Sequence, residues 1–323
     1  MEEKKCPAGG FKTMCGGQAL IEGILMRGPK KQSIVIRRPD GGLEIREKEL
    51  KLIKDRYPIL GWPLIRGVVT FLDSMVEGVK ALMFSAEFYP EDGEEPEEPS
   101  KFEQWLDEHL GSEKAAAFFT TVAVVIGIAM SIGLFFLLPT LLGTAVVLFT
   151  DSMVVRNVAE SLLKMAIFVG YLALCSRMKD MRRVFSYHGA EHKTIFCYEA
   201  GLPLTVENVR IQPRHHPRCG TSFLFVVIFI SILVSSVVFA IHPVTNPLMR
   251  FLAHLLMLPV IVGVSYEFNR WAGRSDCLLS RILRAPGLWM QNFTTFEPDD
   301  SMIEVGIRAL ELVLPENKGE DEW

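Results

Sequence analysis

The sequence predicts an α-helical integral membrane protein with about four transmembrane helices and a small N-terminal α+β unit, a β-hairpin followed by a helix. Three observations carry that prediction. Of the 323 residues 49% are apolar, and the mean hydropathy is positive. Two stretches, Ala115 to Thr150 and Thr221 to Met249, hold no charged residue, and each exceeds the roughly 20 residues that cross a bilayer as a helix. Upstream of them, two runs rich in β-branched and alternating residues flank Pro39-Asp40-Gly41-Gly42 and mark strands joined by a turn.

The first unit, residues 1–89, opens with glycines between Cys15 and Pro29, at positions that suggest tight turns or close backbone approach. Ser33 to Arg38 and Leu43 to Lys48 form the hairpin. Glu22 and Arg27 are polar candidates within this unit, and an ion pair is the commoner explanation for such residues. From Trp62 to Phe88 apolar residues recur at helical spacing with Arg66, Asp73, Glu77 and Lys80 between them, the pattern of an amphipathic helix that packs on a partner or a membrane surface. Residues 90–113 read as an acidic, solvated linker.

A transmembrane region follows over 114–269. Its first span runs from Ala115 to about Leu138. Pro139 and Gly143 then break the pattern, which makes Thr140 to Thr150 a re-entrant or interfacial piece and leaves the count at four spans or five. The second span covers Val158 to Cys175, with Lys164 placed to snorkel toward the interface. The third runs from Ser222 to Ile241, and Phe251 to about Tyr266 gives a shorter fourth. In the tail, 270–323, Ser301 and Glu304 have the spacing of a capping box before a helix with Ile303, Ile307, Leu310 and Leu314 on one face. That helix and the N-terminal unit are expected to dock beside the loop 177–220.

Eight lysines and arginines lie in 177–219, and Arg270, Arg274, Arg281 and Arg284 follow the fourth span, against Arg156 and Arg250 on the other side. By the positive-inside rule the loop and both termini face the cytoplasm. Residues 1–12 have charges without an apolar core behind them, so no cleavable signal peptide is expected. The six cysteines lack C-x-x-C spacing, which favours a reducing setting and argues against a paired-thiol redox role. Basic residues track the membrane ends and do not cover a soluble face, so nucleic acid is not an expected partner. The lipid bilayer is, with anionic headgroups against the basic segments and a protein partner or second copy as further candidates.

The chemistry concentrates in Tyr187-His188-Gly189-Ala190-Glu191-His192-Lys193. On a helix His188 and His192 stand one turn apart on one face with Glu191 beside them. Two such imidazoles can hold one zinc ion, and the order H-x-x-E-H is the inverted zinc-hydrolase pattern with the carboxylate as proton acceptor. Arg214-His215-His216-Pro217-Arg218-Cys219-Gly220 supplies further candidate ligands, His216 and Cys219. The plainer alternative makes this second motif a basic loop with Cys219 packed at a helix start. A catalytic site needs an open coordination position and therefore three protein ligands. Glu199 and Glu267 are reserve ligands.

Four separated motifs carry a resemblance: Gly16-Gly17-Gln18-Ala19 with Ile21-Glu22-Gly23 and Met26-Arg27-Gly28-Pro29, then Tyr187 to Thr194, then His216 to Phe223, and finally Thr294-Thr295 with Glu297-Pro298 and Glu304-Val305. Together they are similar to the YqhQ family of bacterial membrane proteins over nearly the whole chain. The resemblance implies a multi-pass protein of the bacterial cytoplasmic membrane and a metal-dependent enzyme. Phe296 departs from the family, which tends to have a basic residue there. Two functions are expected from different classes: a zinc-dependent membrane hydrolase with Glu191 as catalytic base and His188, His192, His216 and Cys219 as metal candidates, or a non-catalytic scaffold or assembly and transport accessory with a structural metal or polar site. The chain's few intramembrane ionisable residues, chiefly His254, make a channel a weaker expectation.

Overall fold

The computed structural model describes residues 11–50, 57–89, 109, 111–145, 149, 152–275, 277–317 and 319–322. The acidic run 91–98 lies outside them, and so does Cys6. The chain divides into two compact units. The first comprises 1–89, 169–231 and 258–323, and the second 90–168 and 232–257.

The first unit begins with a four-stranded antiparallel meander: β1 Gly16–Leu20, β2 Gly23–Arg27, β3 Lys31–Arg37 and β4 Leu43–Glu49, in that order. The expected hairpin is β3 and β4, paired from Arg37 opposite Leu43 to Lys31 opposite Glu49. The difference is that the glycine-rich opening adds two strands. Its glycines serve close approach within the sheet, since a Cβ on Gly17 would stand 2.6 Å from the Leu25 carbonyl oxygen and one on Gly23 2.6 Å from that of Val35. Glu22 makes the β1–β2 corner at φ 51°, which a non-glycine residue adopts only when its surroundings hold it. Its carboxylate takes both a bidentate Arg183 guanidinium and the Tyr187 hydroxyl, the latter at 3.0 Å. Arg27 pairs with Asp73 at 2.7 Å. Both residues thus sit in ion pairs.

After a 3₁₀ turn at Pro58–Gly61 comes helix α1, Ile65–Ala86. It crosses the sheet at Gly78, where a Cβ would meet the Gln18 amide oxygen at 2.2 Å. Leu72, Met75, Val76, Val79, Leu82 and Met83 are left exposed along it.

Helices α2, Ser112–Ile132, and α3, Leu138–Ala145, are joined without a break by a π turn at Gly133–Leu137. The expected interruption at Pro139 does not occur. Proline removes one N–H donor and crowds the preceding turn, and a π turn just before it is a common way for a helix to absorb that. Helix α4 is Met153–Cys175, α5 Lys179–Glu199, α6 Val206–Arg210, α7 Gly220–Ile241, α8 Pro247–Arg274, α9 Leu278–Thr294 and α10 Asp300–Glu311. Four stretches among the described residues are long and apolar enough to cross a membrane: Phe118–Ala145, Val154–Cys175, Gly220–Ile241 and Pro247–Arg274. The last is longer than the sequence suggested. It starts on an Asn246 cap, whose side chain accepts from Leu248 N at 2.9 Å, with Pro247 in the first turn. It also runs on past Glu267, whose carboxylate pairs with Arg66. Lys164 does not snorkel; its side chain is buried.

The core of the first unit forms where α5 and α10 lie on the sheet, around Ile24, Met26, Val35, Tyr187, Ile195, Val305 and Leu310. Ser33 Oγ donates to the Ala309 carbonyl at 2.7 Å. The cap of α10 is Asp299, whose carboxylate accepts from Met302 N at 3.0 Å and from Ser301 Oγ at 2.6 Å. Ser301 and Glu304 therefore do not make a capping box, and Glu304 pairs with Arg37 at 2.7 Å instead. The acidic tail returns to the N-terminal strand region, where Asp321 accepts from Thr13 Oγ1 at 2.6 Å.

Candidate metal site

Helix α5 brings His188 and His192 to one face, with ring centroids 4.4 Å apart. Cys219, the residue just before α7, closes on them. Its Sγ is 3.1 Å from His188 Nε2, and one donor atom from each of His188, His192 and Cys219 lies within 4.8 Å of the others.

The hydrogen bonds behind the imidazoles fix their tautomers. His188 Nδ1 is 2.8 Å from the Thr294 carbonyl and His192 Nδ1 2.5 Å from the Arg214 carbonyl. A carbonyl oxygen only accepts, so both Nδ1 atoms carry protons, which leaves Nε2 as the one nitrogen of each ring that can offer a lone pair. His192 Nε2 is buried and has no hydrogen-bond partner. Metal-binding histidines are oriented in this way, by an Nδ1–H donated to a carbonyl or carboxylate. Two imidazole nitrogens and a sulfur form a donor set that suits zinc over magnesium or calcium. The residues present fit the metal.

Glu191 stands beside the three. Its Oε1 accepts from Gly17 N at 2.8 Å, and its Oε2 is 3.9 Å from His188 Nε2. The glycine-rich motif and the histidine motif, 174 residues apart, thus meet at this carboxylate. Burial raises its pKa, while His188 and the Gly17 amide oppose the rise.

His216 does not join the trio. Its ring lies 5.6 Å from that of His192, and its Nε2 faces Glu199 at 3.6 Å. Burial pushes its imidazole down to about 4 against the Glu199 hydrogen bond. Glu199 is held in turn by Arg218 and by Thr13 N at 2.8 Å. Burial works against its charge, but the contacts with His216 and Arg218 outweigh that and lower its pKa. The reserve ligands are thereby occupied, Glu199 here and Glu267 by Arg66.

Residues that the sequence did not single out hold the second motif in place. Gln291 of α9 clamps the His216 backbone, accepting from its N–H and donating to its carbonyl, both at 2.8 Å, and also donating to Ser222 Oγ at 3.1 Å. Gly287, one turn earlier, allows the approach, since a Cβ there would be 2.8 Å from Ser222 Cβ. An apolar-faced helix offers no sequence signal for such a clamp except a lone amide. Gln291→Ala is expected to cost about 2 kcal/mol, because two buried backbone groups lose their partners, and thermal unfolding in detergent measures the loss.

A largely helical chain is thus defined, with four membrane-length helices among the described residues, a four-stranded sheet and a His/His/Cys trio in which His192 and Cys219 are buried. A family model described as "Protein of unknown function (DUF1385)" matches residues 62–316, and the chain belongs to that family. It is 35% identical over 305 residues to "Uncharacterized protein YqhQ" of Bacillus subtilis (strain 168), covering 93% of this chain and 92% of that one. No solved structure matches it.

Proposed function

We propose that the chain is a multi-pass hydrolase of a bacterial cytoplasmic membrane, with zinc held by His188, His192 and Cys219, Glu191 as general base, and the site on the cytoplasmic side. The observation that carries this reading is the pair of Nδ1–H···O=C bonds that leave two Nε2 atoms to act as ligands, His188 Nε2 3.1 Å from Cys219 Sγ and His192 Nε2 buried without a partner. Zinc with three protein ligands and one open position supplies Lewis acidity for hydrolysis. The chain's own residues do the rest. Thr294 and Arg214 carbonyls hold the imidazoles, and the Gly17 amide anchors one oxygen of Glu191 so that the other takes a proton. Orientation follows from the eight basic residues in 177–219. The exposed apolar side of α1 and the basic segments then lie against lipid and its anionic headgroups.

Metal analysis of detergent-purified protein tests the reading. About one zinc per chain, with X-ray absorption showing three protein donors and one exchangeable oxygen, is the expected result. No zinc after reconstitution of folded protein overturns it. Glu191→Gln keeps the acceptor for Gly17 N and should retain zinc, while any hydrolysis found in a screen of ester, peptide and phosphoester substrates falls by about 10²–10⁴-fold.

One observation favours a second reading, a scaffold with a structural site. Glu191 and His192 are 4% and 1% exposed, so the general base and one ligand have almost no access to solvent. A filled tetrahedral shell of protein donors in the same absorption measurement supports the scaffold and excludes the enzyme.

A further inference from the structure

The second unit buries more charge than the sequence led one to expect. Arg156, Glu160 and Lys164 on α4 and Arg250 and His254 on α8 are each 5% exposed or less. All lie within helices long and apolar enough to cross a membrane, except that Arg250 and Arg156 stand within a turn of their helix starts. Glu160 is the centre. Its Oε2 accepts from Arg250 Nε at 2.7 Å, and its Oε1 accepts from Thr140 Oγ1 at 2.9 Å and from His254 Nε2 at 2.8 Å.

One carboxylate does not balance this group. Among the described residues, Arg156, Lys164 and Arg250 against Glu160 leave a surplus of two positive charges, three minus one, with Lys164 counted as charged and His254 as neutral. Among the described residues Arg156 reaches neutral acceptors, the Thr245 carbonyl at 3.2 Å and Thr144 Oγ1 at 3.0 Å. Arg156 Nε and Arg250 Nη1 are buried without a hydrogen-bond partner. Buried charge left uncompensated is unfavourable, and more so in an apolar bundle.

We propose that the Arg156–Arg250 pair is a binding site for a phosphate group, which completes this cluster. The unpaired N–H groups belong to guanidinium forks, whose geometry matches phosphate oxygens; a phosphodiester headgroup would offset one of the surplus charges, and a free phosphate or phosphate monoester nearly both. Arg156 and Arg250 are each three residues into their helices, about 5 Å along the axis. That depth is where bilayer phosphates meet the ends of spans, so a phospholipid headgroup and a free phosphate or phosphorylated solute are the two sources of one ligand chemistry. The inference is independent of the zinc reading, since no residue of that site takes part.

The test uses the full chain in detergent. Phosphorus per chain is measured after delipidating washes, and the thermal midpoint is then followed against inorganic phosphate, with chloride at matched ionic strength as reference. The expected result is either about one phospholipid retained per chain or a saturable rise of the midpoint with phosphate. Retained lipid identifies the headgroup as the source and a phosphate response identifies a free ligand; either supports the site. Arg156→Gln should weaken the interaction by about tenfold or more, and Arg156→Lys, which keeps the charge and loses the fork, by less. Gel filtration and circular dichroism check that both fold. The proposal is overturned if wild type shows neither effect, or if Arg156→Gln responds as wild type does. If Arg156→Gln fails to fold, Arg156→Lys and the wild-type titration decide on the same criteria.

Discussion

Cys219→Ala, His188→Ala and His192→Ala should each lose zinc, whereas His216→Ala should keep it. Removing one of three ligands takes away about 3 kcal/mol of a binding energy that is large at such sites, so affinity falls by two to three orders of magnitude. After a chelator wash that leaves wild type loaded, the variants then carry almost no metal. His216 behaves differently because its Nε2 points to Glu199 and its backbone is held by Gln291. Mass spectrometry of the four variants beside wild type, each checked for folding, measures this. Equal loss of zinc in folded His216→Ala would replace the three-donor site by a four-donor one, and with it the catalytic reading by the scaffold.

The difference between His216 and Cys219 shows where sequence reasoning stops. The two lie three residues apart before the same apolar stretch, and letters alone give each the same claim on a metal. Choosing between them depends on which side of the loop faces α5, and that is decided by Gln291 on a helix 75 residues further on. His188, Glu191 and His192 were legible because helical periodicity alone places them together. The membrane-length helices were legible for a similar reason, since length and apolar composition are enough. Their boundaries were less so. Pro139 looked like a stop and is absorbed by a π turn, while Glu267 looked like an end and is neutralised by Arg66. The first correction is a local change of helix type and the second a partner distant in sequence, and a pattern of apolar residues contains neither. The charged cluster around Glu160 was hidden for the same cause: Arg156 and Arg250 read as flanking residues, and burial turns them inward. The glycine-rich opening is the clearest case of a signal with an undetermined target. Gly17 announced close approach, and what approaches is its own second strand and the carboxylate of Glu191, whose Cγ would be 3.1 Å from a Cβ there.

Gly189→Ala should unfold or disarm the site more completely than its single methyl suggests. A Cβ at this position would stand 2.0 Å from the Phe296 carbonyl oxygen, well inside van der Waals contact and against backbone that cannot rotate away. The segment must therefore move by an ångström or more. It is not free to do so at no cost, because Phe296 N donates to the Phe185 carbonyl at 3.0 Å and the Phe296 ring has the Arg182 guanidinium 4.9 Å from its centre. Two residues earlier the same strand of chain offers Thr294 O to His188 Nδ1. Displacing Phe296 thus pulls away the carbonyl that fixes the His188 tautomer. Overpacking of this kind costs about 3 kcal/mol, and loss of the orienting carbonyl lowers metal affinity by a further 10–100-fold. Gly170→Ala is the matched control. That glycine is also helical, in α4, but has nothing within 4 Å of its would-be Cβ, so the change should be neutral or stabilising by up to about 1 kcal/mol. Thermal midpoints and zinc content of the two variants, measured side by side, separate the packing role from a general intolerance of alanine. If Gly189→Ala keeps the midpoint and zinc of wild type, the Thr294–Phe296 segment does not pack on α5, and the support proposed for His188 fails with it.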